Sequence, residues 1–155
     1  MKLKGWKKLG KTISKIGKEI DKKLTYKLSS IDQSDPYMKK VYFGILRDVD
    51  GDMLFLEHLY KTYPNAPKLS PYMYSLLHEI GHCHTKKVLS EEPNELRKKA
   101  NETNDHNAYF ALPSEVAATN WAVKYAKKHY SSLLLLEKRI DDAMSIFLVD
   151  NNFCE

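Results

Sequence analysis

Residues 70–83 read Ser-Pro-Tyr-Met-Tyr-Ser-Leu-Leu-His-Glu-Ile-Gly-His-Cys, and the rest of the chain is organised around them. Ser70-Pro71 is a helix start, a capping hydroxyl followed by proline in the first turn. Tyr72, Leu76, Leu77 and Ile80 then recur at helical spacing. On that helix His78 and His82 lie one turn apart on the same face, so both imidazoles reach one point in space. Glu79 is rotated away from that point by one residue.

Outward from this helix the pattern remains helical. Asp35-Pro36 is a second cap-plus-proline start, and Glu91 to Glu102 forms a charged helix followed by a polar loop over Asn101–Asn107. Ser114 caps a helix from Glu115 to about His129. A last helix from Ser132 to Val149 buries Leu134, Leu135, Ile140, Met144, Phe147 and Leu148. Residues 41–56 have two readings. Val41–Leu46 and Met53–Leu56 flank Asp50-Gly51 as the arms of a hairpin, or Asp52 caps a helix that ends before Pro64. The alternating Asp48, Asp50 and Asp52 lack the glycine and bidentate glutamate of a calcium loop. The fold class is therefore mainly α, with α+β as the variant if the hairpin near 41–56 forms.

The chain has 155 residues, 43% hydrophobic, a size that buries a core in one domain. No apolar run approaches the ~20 residues that cross a bilayer, and the basic start lacks a signal-peptide core. Two cysteines, Cys83 and Cys154, fit a reducing compartment. The expected location is cytoplasmic, with peripheral membrane association as an alternative.

Charge divides the chain. Residues 1–28 carry ten lysines against Glu19 and Asp21, a balance of +8, which leaves −3 of the total +5 for residues 29–155. A basic arm (1–28) thus precedes a mildly acidic domain (29–155). Leu3, Trp6, Leu9, Ile13, Ile16, Ile20 and Leu24 form one apolar stripe of a helix and lysines fill the remainder. The arm resembles cecropin-type cationic peptides. It suits an anionic membrane surface, nucleic acid phosphates, or docking of its stripe on the body. An arm lying over an active site would act as a latch.

The chemistry is in His78-Glu79-Ile80-Gly81-His82, the H-E-x-x-H arrangement of zinc-dependent peptidases. The alternative is a helix with coincidental histidines. A catalytic zinc needs a third protein ligand and an open position for water. Six residues after His82 stands Val88, so no third histidine follows at that spacing. Glu115, His106, Glu95, Glu102 and Asp105 are the other candidates. His84 points to the opposite side of the helix, and His58 and His129 read as surface or packing residues. Glu115-Val116-Ala117-Ala118-Thr119-Asn120-Trp121-Ala122 places Ala three, an aromatic six and Ala seven residues after a glutamate. This resembles the second helix of several gluzincin families.

Together these motifs, within residues 70–125, resemble a minimal gluzincin, similar to ImmA/IrrE-type peptidases and minigluzincins. The resemblance implies a compact zincin-like helical core, Zn2+ held by His78, His82 and Glu115, and Glu79 as general base. Thr119 stands where the family often carries Asp or Asn to orient a liganding histidine; Asn120 and Asp105 are substitutes. Tyr109 or His106 would supply the donor to the oxyanion. The implied activity is hydrolysis of a protein or peptide substrate, in a regulatory role, as in phage and mobile-element proteases. The competing function is that of a membrane-active or nucleic-acid-binding protein acting through its arm, with a structural or vestigial zinc.

Overall fold

The computed structural model describes residues 3–152. Among them it contains α1 (Trp6–Ile20), β1 (Thr25–Ser29), β2 (Gln33–Asp35), β3 (Lys40–Gly44) and α2 (Val49–Thr62). There follow α3 (Pro71–His84), α4 (Lys86–Glu91), α5 (Asn94–Thr103), α6 (His106–Phe110), α7 (Pro113–Lys128) and α8 (Tyr130–Asp150). The fold is mainly α with a small sheet.

Helix α3 is the axis of the molecule. Ser70 Oγ accepts the Met73 amide at 3.2 Å and Pro71 occupies the first turn, as the sequence indicates. Met73, Tyr74, Leu76, Leu77 and Ile80 are fully buried, each such side chain contributing about 2 kcal/mol of hydrophobic stabilisation. Helix α7 lies against α3 through Ala118, Ala122 and Ala126, all without exposed surface. The two backbones meet at Gly81, where an added Cβ would stand 2.5 Å from the Ala118 carbonyl oxygen. Small residues on both sides are what bring the two helices close enough to share a site.

The sheet order is β1-β3-β2, with β1 parallel and β2 antiparallel to β3. Val41 and Phe43 point into the core, and Tyr26 of β1 is buried beside them. This places the hairpin-like sheet upstream of Asp50-Gly51. Val41–Gly44 pairs with residues 25–29 and 33–35, and Met53–Leu56 belongs to α2. That helix starts behind Asp48 and not at Asp52, whose carboxylate lies in the first turn and is held by Arg47. Asp35-Pro36 likewise does not start a helix. Asp35 closes β2 and its Oδ1 accepts the Met38 amide at 3.2 Å, capping a turn in which Lys39 takes φ 54°. An Asp side chain that accepts the amide three residues on also caps helices, so local sequence does not separate this turn from a helix start.

Helix α1 seats its stripe on β1 and α8. Leu9, Ile13 and Ile16 are buried, Trp6 meets Phe147 with ring centroids 6.4 Å apart, and Gly17 lies directly on the Tyr26 ring. The arm boundary at 28/29 falls inside β1, and no α1 residue lines either of the cavities at the site described below. On α8 the buried positions are Leu133, Leu136, Ile140, Met144 and Phe147, whereas Leu134 and Leu135 are 41% and 70% exposed. The four consecutive leucines leave the helical phase open, and the downstream 140/144/147 spacing fixes it. Cys154 lies outside the described residues. Cys83 is half-buried, its Sγ 3.9 Å from the Lys40 carbonyl oxygen, and burial pushes its thiol up to about 11. No helix among the described residues is long and apolar enough to cross a membrane.

Candidate metal centre

His78 and His82 project from successive turns of α3, and Glu115 from the first turn of α7, 33 residues beyond His82. His78 Nε2 lies 2.9 Å from Glu115 Oε1 and His82 Nε2 lies 3.1 Å from Oε2. All three side chains are buried, and their donor atoms lie within 4.8 Å of one another. Two imidazoles and a carboxylate are a zinc donor set. Tetrahedral bonds of about 2.0–2.1 Å put such atoms roughly 3.3 Å apart, so shifts of a few tenths of an ångström accommodate the ion. His78 Nδ1 is 3.0 Å from Thr119 Oγ1. Thr119 therefore orients this histidine directly, and neither Asn120 nor Asp105 is needed: Asp105 caps α6 through the Asn107 and Ala108 amides. In the tautomer whose Nδ1–H donates to Thr119 Oγ1, Nε2 carries the lone pair a metal requires.

Two cavities flank the cluster, and Asp32, Glu79, Tyr109 and Glu115 line both. One adds Phe55, His58, Phe110 and Ser75; the other adds Gln33 and Ser34 of the β2 edge, Leu89 and Arg97. Glu79 thus faces the space beside the donor atoms, and burial raises its carboxyl above the usual carboxylate range against the pull of His78 and His82. Tyr109 reaches the same cleft from α6. Burial, reinforced by the Glu115 charge and opposed by Arg97, pushes its phenol up to about 12, so it remains a proton donor at neutral pH. The other sequence candidates lie elsewhere. His106 is exposed and lines a separate groove with Leu54 and Glu57. Glu95 is exposed, Glu102 pairs with Lys98, and His84 binds Asp21 at 2.6 Å and stacks on Trp121.

Arg97 and Arg47 are the site residues that motif reading missed. Arg97 Nη2 donates to Glu115 Oε2 at 2.8 Å and to Ser114 Oγ at 2.8 Å, and its Nε faces Glu92 Oε2 at 3.4 Å. Glu92 Oε1 in turn accepts the Ser114 amide and hydroxyl at 2.9 and 2.8 Å. Ser114 is therefore a member of this clamp and not the cap of α7, whose first turn is set by Leu112 and Pro113. Arg47 Nη2 donates to Asp52 and Ser75, and Nη1 to Asp32, fixing both acids at the cleft wall. The signal was present. The sequence has three arginines among 25 basic residues, and in the fold each one meets a carboxylate. The rigid guanidinium fork is selected where bidentate pairing matters, whereas lysine suffices elsewhere.

Electrostatics would couple any metal uptake here to proton release. Burial disfavours the charged form of His78, but the hydrogen bond and charge of Glu115 outweigh it and raise its pKa. Glu115 itself, despite burial, is held far below the carboxylate range by His78 and His82. A metal needs His78 neutral, so at pH below its raised pKa the proton must leave on binding. Zinc affinity is expected to climb about tenfold per pH unit there and to level off above it. Calorimetry in two buffers of different ionisation enthalpy reads the released proton. Affinity that is flat between about pH 6 and 8 contradicts this coupling.

Comparison of the chain with protein-family models, curated proteins and solved structures finds no match.

Proposed function

We propose that the protein is a zinc-dependent metallopeptidase that hydrolyses a peptide bond of a protein or peptide substrate. The observation that carries this reading is the meeting of His78, His82 and Glu115 donor atoms within 4.8 Å at a cleft that also holds Glu79 and Tyr109. His78, His82 and Glu115 would hold the ion. When bound, zinc supplies Lewis acidity, lowering the pKa of water and polarising a carbonyl.

The chain's own residues then divide the remaining work. Glu79 takes the proton of the attacking water and passes it to the leaving amine, a transfer favoured by a carboxyl whose pKa is raised toward neutrality. The Tyr109 hydroxyl donates a hydrogen bond to the oxygen that develops charge. Arg97 ties down one Glu115 oxygen, keeping the carboxylate oriented toward the histidines. Strand β2 is a sheet edge, and Gln33 and Ser34 line the cleft with Glu79. An extended peptide that adds to this edge passes Glu79, with side-chain room beside Phe55 and Phe110 on the other side. The likeness to ImmA/IrrE-type peptidases supports a regulatory substrate over a digestive role.

The test is metal analysis of the purified protein beside Glu115→Ala. About one zinc per chain is expected in the wild type. Even outer-shell partners are worth about 10- to 100-fold in metal affinity, so the variant should lose more than about 100-fold, together with peptide hydrolysis. A wild-type chain that does not take up zinc, or a variant that binds it equally well, removes the basis of this reading.

A further inference from the structure

We propose that the outer face of α1 docks the protein on an anionic lipid bilayer. At 100° per residue, Lys7, Lys8, Lys11, Lys15 and Lys18 fall within roughly a 100° arc along about 17 Å of helix. Lys4 precedes the row, and Lys22 and Lys23 follow it. All eight are exposed, and the ion pairs among the described residues involve other cations. The opposite face of α1 is buried in the core, and it is this face that anchors the helix to the fold. With residues 29–155 mildly acidic overall, the net positive charge is concentrated in the arm, which orients it toward a negative surface.

The geometry favours a plane. Side chains within such an arc on a convex helix share one tangent surface. On the neighbouring helix α8, Ile146 is 58% exposed and borders a groove with Lys8, Thr12 and Asp150. A bilayer interface receives apolar side chains next to lysines, whereas a phosphodiester backbone offers them nothing. Helix α1 also lacks Arg, Asn and Gln, whose planar forks give the bidentate contacts that distinguish bases best. Because the apolar stripe is inside the fold, docking is electrostatic and peripheral, and it weakens with salt. This departs from the insertion expected of a free cecropin-like helix.

Co-sedimentation of the full-length protein with phosphatidylcholine vesicles, with and without phosphatidylserine, tests the proposal. Binding is expected only with phosphatidylserine. Converting Lys8, Lys11, Lys15 and Lys18 together to Gln should weaken it at least about 100-fold, since each lysine near such a surface is worth about fivefold. Converting Lys86, Lys87, Lys98 and Lys99 to Gln changes net charge equally but lies off the row, and should cost less than about threefold. Both sets are exposed, and unchanged thermal melts verify that each variant is folded. The proposal is overturned by absence of binding to phosphatidylserine vesicles, by equal loss in the two variants, or by retention on random-sequence duplex DNA at lower protein concentration than on vesicles.

Discussion

Glu79→Gln is expected to leave zinc bound at wild-type stoichiometry and to lower kcat by about 1,000-fold, within the range attributed to a general acid–base residue. Glutamine keeps the side-chain shape, so the cleft bounded by Asp32, Tyr109 and Glu115 is preserved while the proton acceptor is removed. KM should move by less than about threefold, because the lost interaction belongs to the transition state. Retained zinc with lost turnover separates a peptidase from a protein that acts only through α1, whose vesicle binding the substitution leaves untouched. If turnover persists near the wild-type level, another group moves the proton. Asp32, which lines both cavities, is then the residue to replace next.

Gly81→Ala carries the second large effect, and its sign is unusual. Glycine to alanine within a helix ordinarily stabilises by up to about 1 kcal/mol. Here the new methyl meets backbone, at 2.5 Å from the Ala118 carbonyl oxygen and 3.2 Å from Ala118 Cα, and backbone does not rotate aside. The two helices must part, which costs about 1–3 kcal/mol of overpacking. A melting temperature lower by about 2–12 °C is expected for a chain of this size. Parting the helices also draws Glu115 of α7 away from His78 and His82 of α3, so zinc affinity should fall with stability. Ala118→Gly should not rescue the variant, because the obstructing atom is the carbonyl oxygen that any residue retains. A Gly81→Ala protein as stable as the wild type contradicts the close approach of α3 and α7.

The sequence by itself determined the local features. The Ser70-Pro71 start, the helical spacing of Leu76, Leu77 and Ile80, and the one-turn offset of His78 and His82 follow from residues within two or three turns of each other. Glu115 and Tyr109 were legible as candidates only through the resemblance of these segments to a gluzincin, not from any local rule. Tertiary structure alone decided what depends on distant partners. Val41–Gly44 became a strand because residues 25–29 and 33–35 lie beside it, not through its own turn. The leucine run of α8 took its phase from the surface it covers, and the α1 stripe found β1 and α8. Arg97 reached Glu115 across 18 residues, and Arg47 reached Asp32 across 15, through ion pairs that leave no periodic trace. Helical periodicity and caps are written in neighbouring residues. Pairing, phase and charge compensation are choices among many partners, made when the core excludes water.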